Sequence, residues 1–99
     1  MSAYEQVSLA NQVAAASPEE RSALVAQYAG NTNDFAHALK DLYFGSYSSM
    51  PALAAGAADA LDTLAANSPQ AEIVALATWT RGMAALQLEG ALEHAIQLI

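Results

Sequence analysis

Apolar residues recur at helical spacing along the whole chain, in segments separated by Gly, Pro, Ser and Asn. The spacing predicts helices over residues 4–16, from Ser17 to about Tyr28, 34–44 and 52–66, followed by a last apolar segment, 69–99. No five consecutive positions alternate β-branched or aromatic residues with polar ones, so no strand is predicted. We therefore expect one all-α domain over residues 1–99, with about five helices arranged as antiparallel helical hairpins.

Local signals predict where these helices begin and end. Ser17-Pro18, with Glu20 three residues after the serine, predicts an N-cap followed by a first-turn proline. The sequences before the fourth and last helices, Ser49-Met50-Pro51 and Ser68-Pro69, predict the same kind of start. Thr32 or Asn33 is expected to cap the third helix. Gly30 and Gly45 are expected to end the second and third helices, which leaves Ser46–Ser49 as the longest loop.

The last segment is apolar around most of its circumference. On a helical wheel it shows two apolar walls, one of Leu76, Trp79, Met83 and Leu86 and one of Ile73, Ala77, Thr80, Ala84, Leu88, Ala91 and Ala95. The polar stripe between them is narrow: Thr78, Gly82, Glu89 and Glu93. One core covers only about a third of a helix, so this segment needs cover from two sides. Either both walls lie inside the domain, or the Trp79 wall binds a partner.

The composition predicts a thin core. Hydrophobic residues make up 55% of the chain, but 25 of them are alanine and only 29 are large apolar residues. Alanine favours helix while burying little side-chain area. A thin core in a small chain limits stability, which favours oligomerisation or a bound partner.

Charge excludes several functions. The net charge is −7, and the only basic residues are Arg21, Lys40 and Arg81, which are not clustered. Nucleic acids and anionic membranes both require clustered Lys and Arg, so neither is an expected partner. The sequence has no cysteine, so neither a disulfide framework nor a thiolate zinc site nor a cysteine nucleophile is available. It also has no secretory-signal pattern at its start and no uninterrupted apolar run long enough to span a membrane. A cytoplasmic protein without a membrane span is expected.

Four of the seven aromatic residues lie within a short stretch, at Phe35, Tyr43, Phe44 and Tyr47. Aromatic side chains fill cores and also anchor interfaces. We expect Phe35 and Phe44 in the core. Tyr43 and Tyr47 lie beside the Gly45–Ser49 loop, so they are the candidates for contact with a partner.

One group of residues has the composition of a metal site. Asp34, His37 and Asp41 share one face of the third helix, but helical metal bundles use two Glu-x-x-His copies, whereas this chain has a single Asp-x-x-His. A solvated helix face explains them, and no metal or other cofactor is expected.

Two further groups contain residue types that occur at catalytic or carrier sites. Glu89, Glu93 and His94 have no obvious nucleophile or oxyanion donor nearby. Ser48-Ser49-Met50 lacks the aspartate of a carrier-protein attachment site, and helix capping explains its serines. We predict no catalytic residue and no enzymatic activity.

The spacing from Trp79 to Ile99 resembles a tetratricopeptide repeat. Trp79, Leu86, Gly90, Leu92, Ala95 and Ile99 fit the motif, whereas Gly82 and Met83 depart from it because the small residue is displaced by one. The resemblance implies stacked antiparallel helix pairs whose concave face holds a peptide or a helix. Without such stacking, the expected arrangement is a compact orthogonal bundle.

Small acidic proteins with degenerate repeats of this kind resemble the tetratricopeptide-like chaperones of type III secretion, which shield an aggregation-prone secreted subunit. The resemblance implies an adaptor or secretion chaperone that covers an apolar helix of a protein partner. The expected contact residues are Leu76, Trp79, Met83, Leu86, Tyr43 and Tyr47. The alternative is a self-associating helical bundle, a homodimer without catalytic activity.

Overall fold

The computed structural model describes residues 3–28 and 31–89, and within them every regular element is helical. The helices are α1 (Ala3–Ala15), α2 (Pro18–Gln27), α3 (Thr32–Ser46), α4 (Pro51–Asn67) and α5 (Ala71–Ala84). A π-helical turn, Ala85–Glu89, continues α5. The all-α class and the five helices are confirmed. Gly30 and residues 90–99, on which part of the tetratricopeptide spacing rests, lie outside the described residues.

The predicted start of α2 is confirmed, and that of α3 is shifted. Ser17 caps α2 by accepting a hydrogen bond from the backbone N–H of Glu20 at 3.3 Å, and Pro18 is the first helical residue. The cap of α3 is Asn31, whose Oδ1 accepts from the N–H of Asp34 at 3.0 Å. Thr32 and Asn33, the predicted caps, are already helical, because Asn31 before them accepts the hydrogen bond from the first turn.

The prediction that Gly45 ends the third helix is wrong. The helix continues through Gly45 to Ser46, whose hydroxyl donates to the carbonyl of Leu42 at 2.6 Å. A glycine C-cap requires a positive φ, and none of the described glycines has one. The connection to α4 is therefore Tyr47–Met50.

The serines before α4 and α5 do not cap these helices, contrary to the prediction. The residues at the two N-cap positions are Met50 and Gln70, and neither makes a side-chain cap hydrogen bond. Ser68 instead closes α4, since its N–H donates to the carbonyl of Leu64 at 2.8 Å. Its own carbonyl accepts from the N–H of Gln70 at 2.7 Å. Ser68 and Pro69 therefore form the turn between the two helices, and α5 begins after it.

Helix α4 is central and packs against all four other helices. Its buried residues are mostly small: Ala54, Gly56, Ala57, Ala58, Ala60, Leu61 and Leu64. Phe35 and Leu39 of α3 share a buried cluster with the end of α4, whereas Tyr43 shares one with its beginning. The two helices are therefore antiparallel, as the helical-hairpin prediction requires. The small side chains of α4 allow its neighbours to approach closely.

Helix α5 lies beside α3 and runs parallel to it. His37 contacts Glu72 near the start of both helices, and Phe44 contacts Trp79 two turns later. Of the two predicted walls, the alanine-rich one faces the core. Ile73, Ala77 and Thr80 are buried, and Ala84 is half-buried. Leu88, Ala91 and Ala95 of the same wall lie beyond the side chains that the structure describes.

The tightest junction lies between the end of α1 and the middle of α4. A Cβ placed on Gly56 would stand 2.0 Å from the carbonyl oxygen of Ala14, so only glycine fits there. The guanidinium of Arg21 donates to the carbonyls of Val13 at 3.1 Å, Ala14 at 3.1 Å and Ala16 at 2.8 Å. It also pairs with Asp59 of α4 at 2.5 Å. Arg21 thus satisfies carbonyls that the end of α1 leaves free and joins three helices.

Candidate interaction surfaces

The structure divides the predicted Trp79 wall into an exposed half and a half-buried half. Trp79 is 52% exposed and Leu86 is 73% exposed. Leu76 and Met83 are half-buried, the first against the main core cluster and the second against the cluster around Tyr43. The wall is therefore neither entirely internal nor entirely free. Its inner edge completes the core, and its outer edge faces away from it.

Trp79 rests on an aromatic cluster formed with Tyr43, Phe44 and Tyr47 of the α3 end. Its ring lies 4.9 Å from that of Phe44 and is tilted by 31°. The ring of Phe44 in turn lies 5.0 Å from Tyr43 and 6.5 Å from Tyr47, both in edge-to-face geometry. Aromatic pairs at these separations stabilise one another beyond their buried area. The half-exposed indole is therefore held by rings from another helix.

Within this cluster the structure places Tyr43 in the core, although the sequence suggested it as a contact residue. Tyr43 is fully buried, and its hydroxyl donates to Oε1 of Gln87 at 2.7 Å. Phe44, expected in the core, is only half-buried, as is Tyr47. Burial, and to a lesser extent the neighbouring Tyr47, raises the pKa of Tyr43 above its ordinary value. Tyr43 thus offers no surface to a partner and supports the cluster from inside.

The outer side of α5 forms a continuous face that we call the α5 face. Small exposed residues run along its middle: Ala71, Ala75, Thr78, Gly82 and Ala85. Trp79 and Leu86 flank this line on one side, and Val74, which is 42% exposed, lies on the other. The sequence wheel identified Trp79 and Leu86 but missed Val74, because Val74 lies outside both apolar walls. A helix can approach such a line of small residues closely.

A second surface, the α1–α3 groove, was not predicted from the sequence. It is an open groove of about 660 Å³ between the two helices. Its lining residues are Gln6, Val7, Ala10, Asn11, Asp34, His37, Ala38, Asp41, Leu42, Gly45, Ser46 and Met50. Ala38, Leu42 and Gly45 recur at helical spacing on α3 beside its core-facing residues, which is the signal that could have revealed the groove. Because the predicted helix ended before Gly45, this residue was not counted as part of the stripe.

Asp34, His37 and Asp41 lie on one face of α3, as their spacing predicted, and this face lines the groove. Nε2 of His37, however, lies 2.8 Å from Oε1 of Glu72 on α5, a partner that the sequence did not indicate. Lys40 Nζ lies 3.1 Å from Oδ1 of Asp41. Within residues 3–28 and 31–89, no group of three or more acidic or histidine side chains is arranged to hold a metal ion.

The other candidate groups fall at the ends of the described elements. Ser48 and Ser49 are exposed in the α3–α4 connection and cap neither helix, so the capping explanation given for them is wrong. The side chain of Glu89, together with Glu93 and His94, lies outside the described residues. The prediction that the chain has no catalytic residue therefore stays a prediction.

The fold and the two surfaces define a small all-α helical-bundle protein. Comparisons with protein-family models, with curated proteins and with solved structures find no match to this chain. No helix in the described part of the chain combines the length and the hydropathy needed to cross a membrane.

Proposed function

We propose that this chain is a protein–protein interaction module of the cytoplasm, an adaptor or secretion chaperone that covers an apolar helix of a protein partner along its α5 face. The observation that carries the proposal is Trp79, a large aromatic residue that is half-exposed and yet held in place by Phe44. Tryptophan is among the residues most enriched at the energetic centres of interfaces, and a ring held in advance loses little entropy on binding.

The distribution of exposed apolar residues supports this choice of surface. Five large hydrophobic residues are markedly exposed in the described part of the chain, and three of them, Val74, Trp79 and Leu86, flank the α5 face. The line of small residues between them gives the groove-like shape into which a helix packs at close interaxial distance. The order α3–α4–α5, with α3 and α5 parallel, is also compatible with stacked helical hairpins of the tetratricopeptide type.

The predicted contact residues take different roles in this proposal. Trp79 and Leu86 contact the partner helix directly. Met83 and Tyr47 border the contact, while Leu76 and Tyr43 hold these side chains from the core side. The alternative partner is a second copy of the chain, because a two-fold pairing of α5 with itself would bring Trp79 of one copy towards Leu86 of the other.

Gly82 provides the test, because it lies three residues after Trp79 and four before Leu86. A Cβ added there meets nothing within 4 Å, so a substitution changes the surface without a clash. A photo-crosslinking residue at position 82 would capture the bound protein in cells, and its affinity for the wild-type chain and for Gly82→Glu would then be measured. We expect Gly82→Glu to weaken binding by at least about tenfold, or about 1.4 kcal/mol.

Gly45→Glu is the matched control, because Gly45 is also helical and a Cβ there also meets nothing within 4 Å. It should leave binding at the α5 face within about threefold, about 0.7 kcal/mol. Crosslinking of the chain only to itself, with a dimer in sedimentation that Gly82→Glu dissociates, would favour the homodimer. A lower melting temperature of Gly82→Glu without loss of binding would place this face inside the domain and contradict the proposal.

A further inference from the structure

The α1–α3 groove has the dimensions of a site for one helix. Its α3 side runs from Asp34 to Gly45, which is about three turns or roughly 17 Å of helix. The groove is open along its length, whereas sites for small molecules enclose most of the ligand surface. Val7 and Met50, the two markedly exposed large hydrophobic residues that do not lie on the α5 face, both line it. An elongated apolar segment fits this shape better than a compact ligand.

The base of the groove is formed by small or aliphatic side chains. Ala10 comes from α1, and Ala38, Leu42 and Gly45 come from α3. A Cβ on Gly45 would meet nothing within 4 Å, so space remains open at this point. Apolar residues of a docked helix, spaced three and four positions apart, can pack against such a surface.

The charge of the groove has one sign. Its lining contains the carboxylates of Asp34 and Asp41, both exposed, and no Lys or Arg among the residues that the structure describes. Lys40 pairs with Asp41, but the Asp41 side chain is 72% exposed, so solvent screens the pair and its carboxylate can also accept from a second cation. The whole chain carries −7, so its field also attracts cations. Asp34 and Asp41 are seven residues apart, or two turns and about 10 Å along α3.

We propose that the α1–α3 groove binds one basic amphipathic helix of a protein partner. The apolar stripe of that helix packs on Ala38, Leu42 and Gly45, and two of its Lys or Arg side chains, two turns apart, pair with Asp34 and Asp41. Charge complementarity and the two-turn spacing select this occupant over an acidic or purely apolar helix. The proposal is independent of the function assigned to the α5 face.

The first experiment uses a synthetic amphipathic helix of about 15 residues with a Leu stripe flanked by Lys, and the same peptide with Glu in place of every Lys. Binding to the full chain is followed by fluorescence anisotropy at several salt concentrations. We expect the Lys peptide to bind at least about tenfold more tightly than the Glu peptide, with an affinity that falls as salt rises. Equal binding of the two peptides would overturn the proposal.

A pair of charge variants distinguishes peptide binding in the groove from general electrostatic attraction to an acidic protein. Asp34→Asn with Asp41→Asn removes two charges from the rim, and Glu19→Gln with Glu20→Gln removes two from the exposed first turn of α2. The Asp pair should weaken the Lys peptide by about fivefold or more, and the Glu pair by no more than about twofold. Equal weakening would mean that the peptide does not recognise the groove.

A pair of glycine variants tests the location sterically. A Cβ at either glycine meets nothing within 4 Å, so Gly45→Leu extends a side chain from an open position in the groove, and Gly82→Leu does the same on the α5 face. With helicity and melting temperature retained, Gly45→Leu should reduce Lys-peptide affinity at least about tenfold, while Gly82→Leu leaves it unchanged. Reduced affinity in Gly82→Leu but not in Gly45→Leu would indicate that the peptide binds the α5 face. That result would overturn this inference and leave the proposed function standing. No effect of Gly45→Leu would overturn it as well.

Discussion

Gly56 and Gly82 both lie inside helices, yet their surroundings are opposite. Gly56 of α4 touches the backbone of α1, where no Cβ fits, whereas the position of Gly82 on α5 is open to solvent. The first belongs to a junction closed by backbone contact and by the hydrogen bonds of Arg21. The second belongs to a face where Trp79 and Leu86 remain exposed. At the α1–α4 junction the glycine permits close internal packing. On the α5 face the glycine leaves a surface on which another helix can lie.

The largest expected effect comes from exchanging these glycines for alanine. Gly56→Ala would force α1 and α4 apart, and overpacking typically costs about 1–3 kcal/mol. Because the clash is with a backbone oxygen, we expect the upper end, about 3 kcal/mol, in urea unfolding. Gly82→Ala, in contrast, should stabilise the chain by up to about 1 kcal/mol, because alanine favours helix and meets no obstacle. Equal effects of the two substitutions would remove the distinction between the regions.

Arg21 provides the second test of the closed junction. Arg21→Met keeps the aliphatic packing but removes the donors to the carbonyls of Val13, Ala14 and Ala16. The Val13 carbonyl also accepts from the N–H of Ala16 at 3.3 Å, so the cost comes mainly from the Ala14 and Ala16 carbonyls. Leaving a buried acceptor without its partner costs about 1–3 kcal/mol, so we expect a loss of about 2 kcal/mol in the same unfolding experiment.

Asp59→Asn is the control for Arg21, since it removes the ion pair but leaves the carbonyl contacts. The Asp59 side chain is about half-exposed, so this change should cost less than about 1 kcal/mol. If Asp59→Asn were as destabilising as Arg21→Met, the ion pair rather than the capping of α1 would hold the junction together.

The two regions also differ in how far they follow from the sequence. Helical periodicity predicted the five helices and the inward face of α5 at Ile73, Ala77 and Thr80, and the residues after Ser17 predicted its role as a cap. Each of these depends on interactions between residues a few positions apart. Trp79 and Leu86 could be found in the same way, because a wheel shows which side chains lie opposite the core-facing ones.

What the sequence did not indicate depends on contacts between distant residues. Gly56 and Arg21 stabilise the junction where the end of α1 packs against α4. No pattern of neighbouring residues in the sequence predicts this contact. Tyr43 and Phe44 are adjacent, so a rotation of α3 decides which ring is buried, and that rotation is set by packing against α4. The α1–α3 groove likewise exists only once the two helices are side by side.

The smallest expected effect is the pH dependence that Tyr43 contributes on the α3–α5 side. Burial raises the pKa of Tyr43, so its neutral phenol, which donates to Gln87, is favoured in the folded state. Its contribution to stability is therefore complete below the unfolded tyrosine pKa of about 10 and is lost as pH rises through the higher folded-state pKa. Tyr43→Phe should lower the free energy of unfolding by about 1 kcal/mol at neutral pH, and the stability of this variant should decline less steeply than that of the wild type above pH of about 10.

Urea unfolding of both proteins across this pH range isolates Tyr43, because every other group is common to the two. Parallel declines of the two proteins would mean that the Tyr43 hydroxyl is open to solvent and that the aromatic cluster beneath Trp79 is not closed from inside.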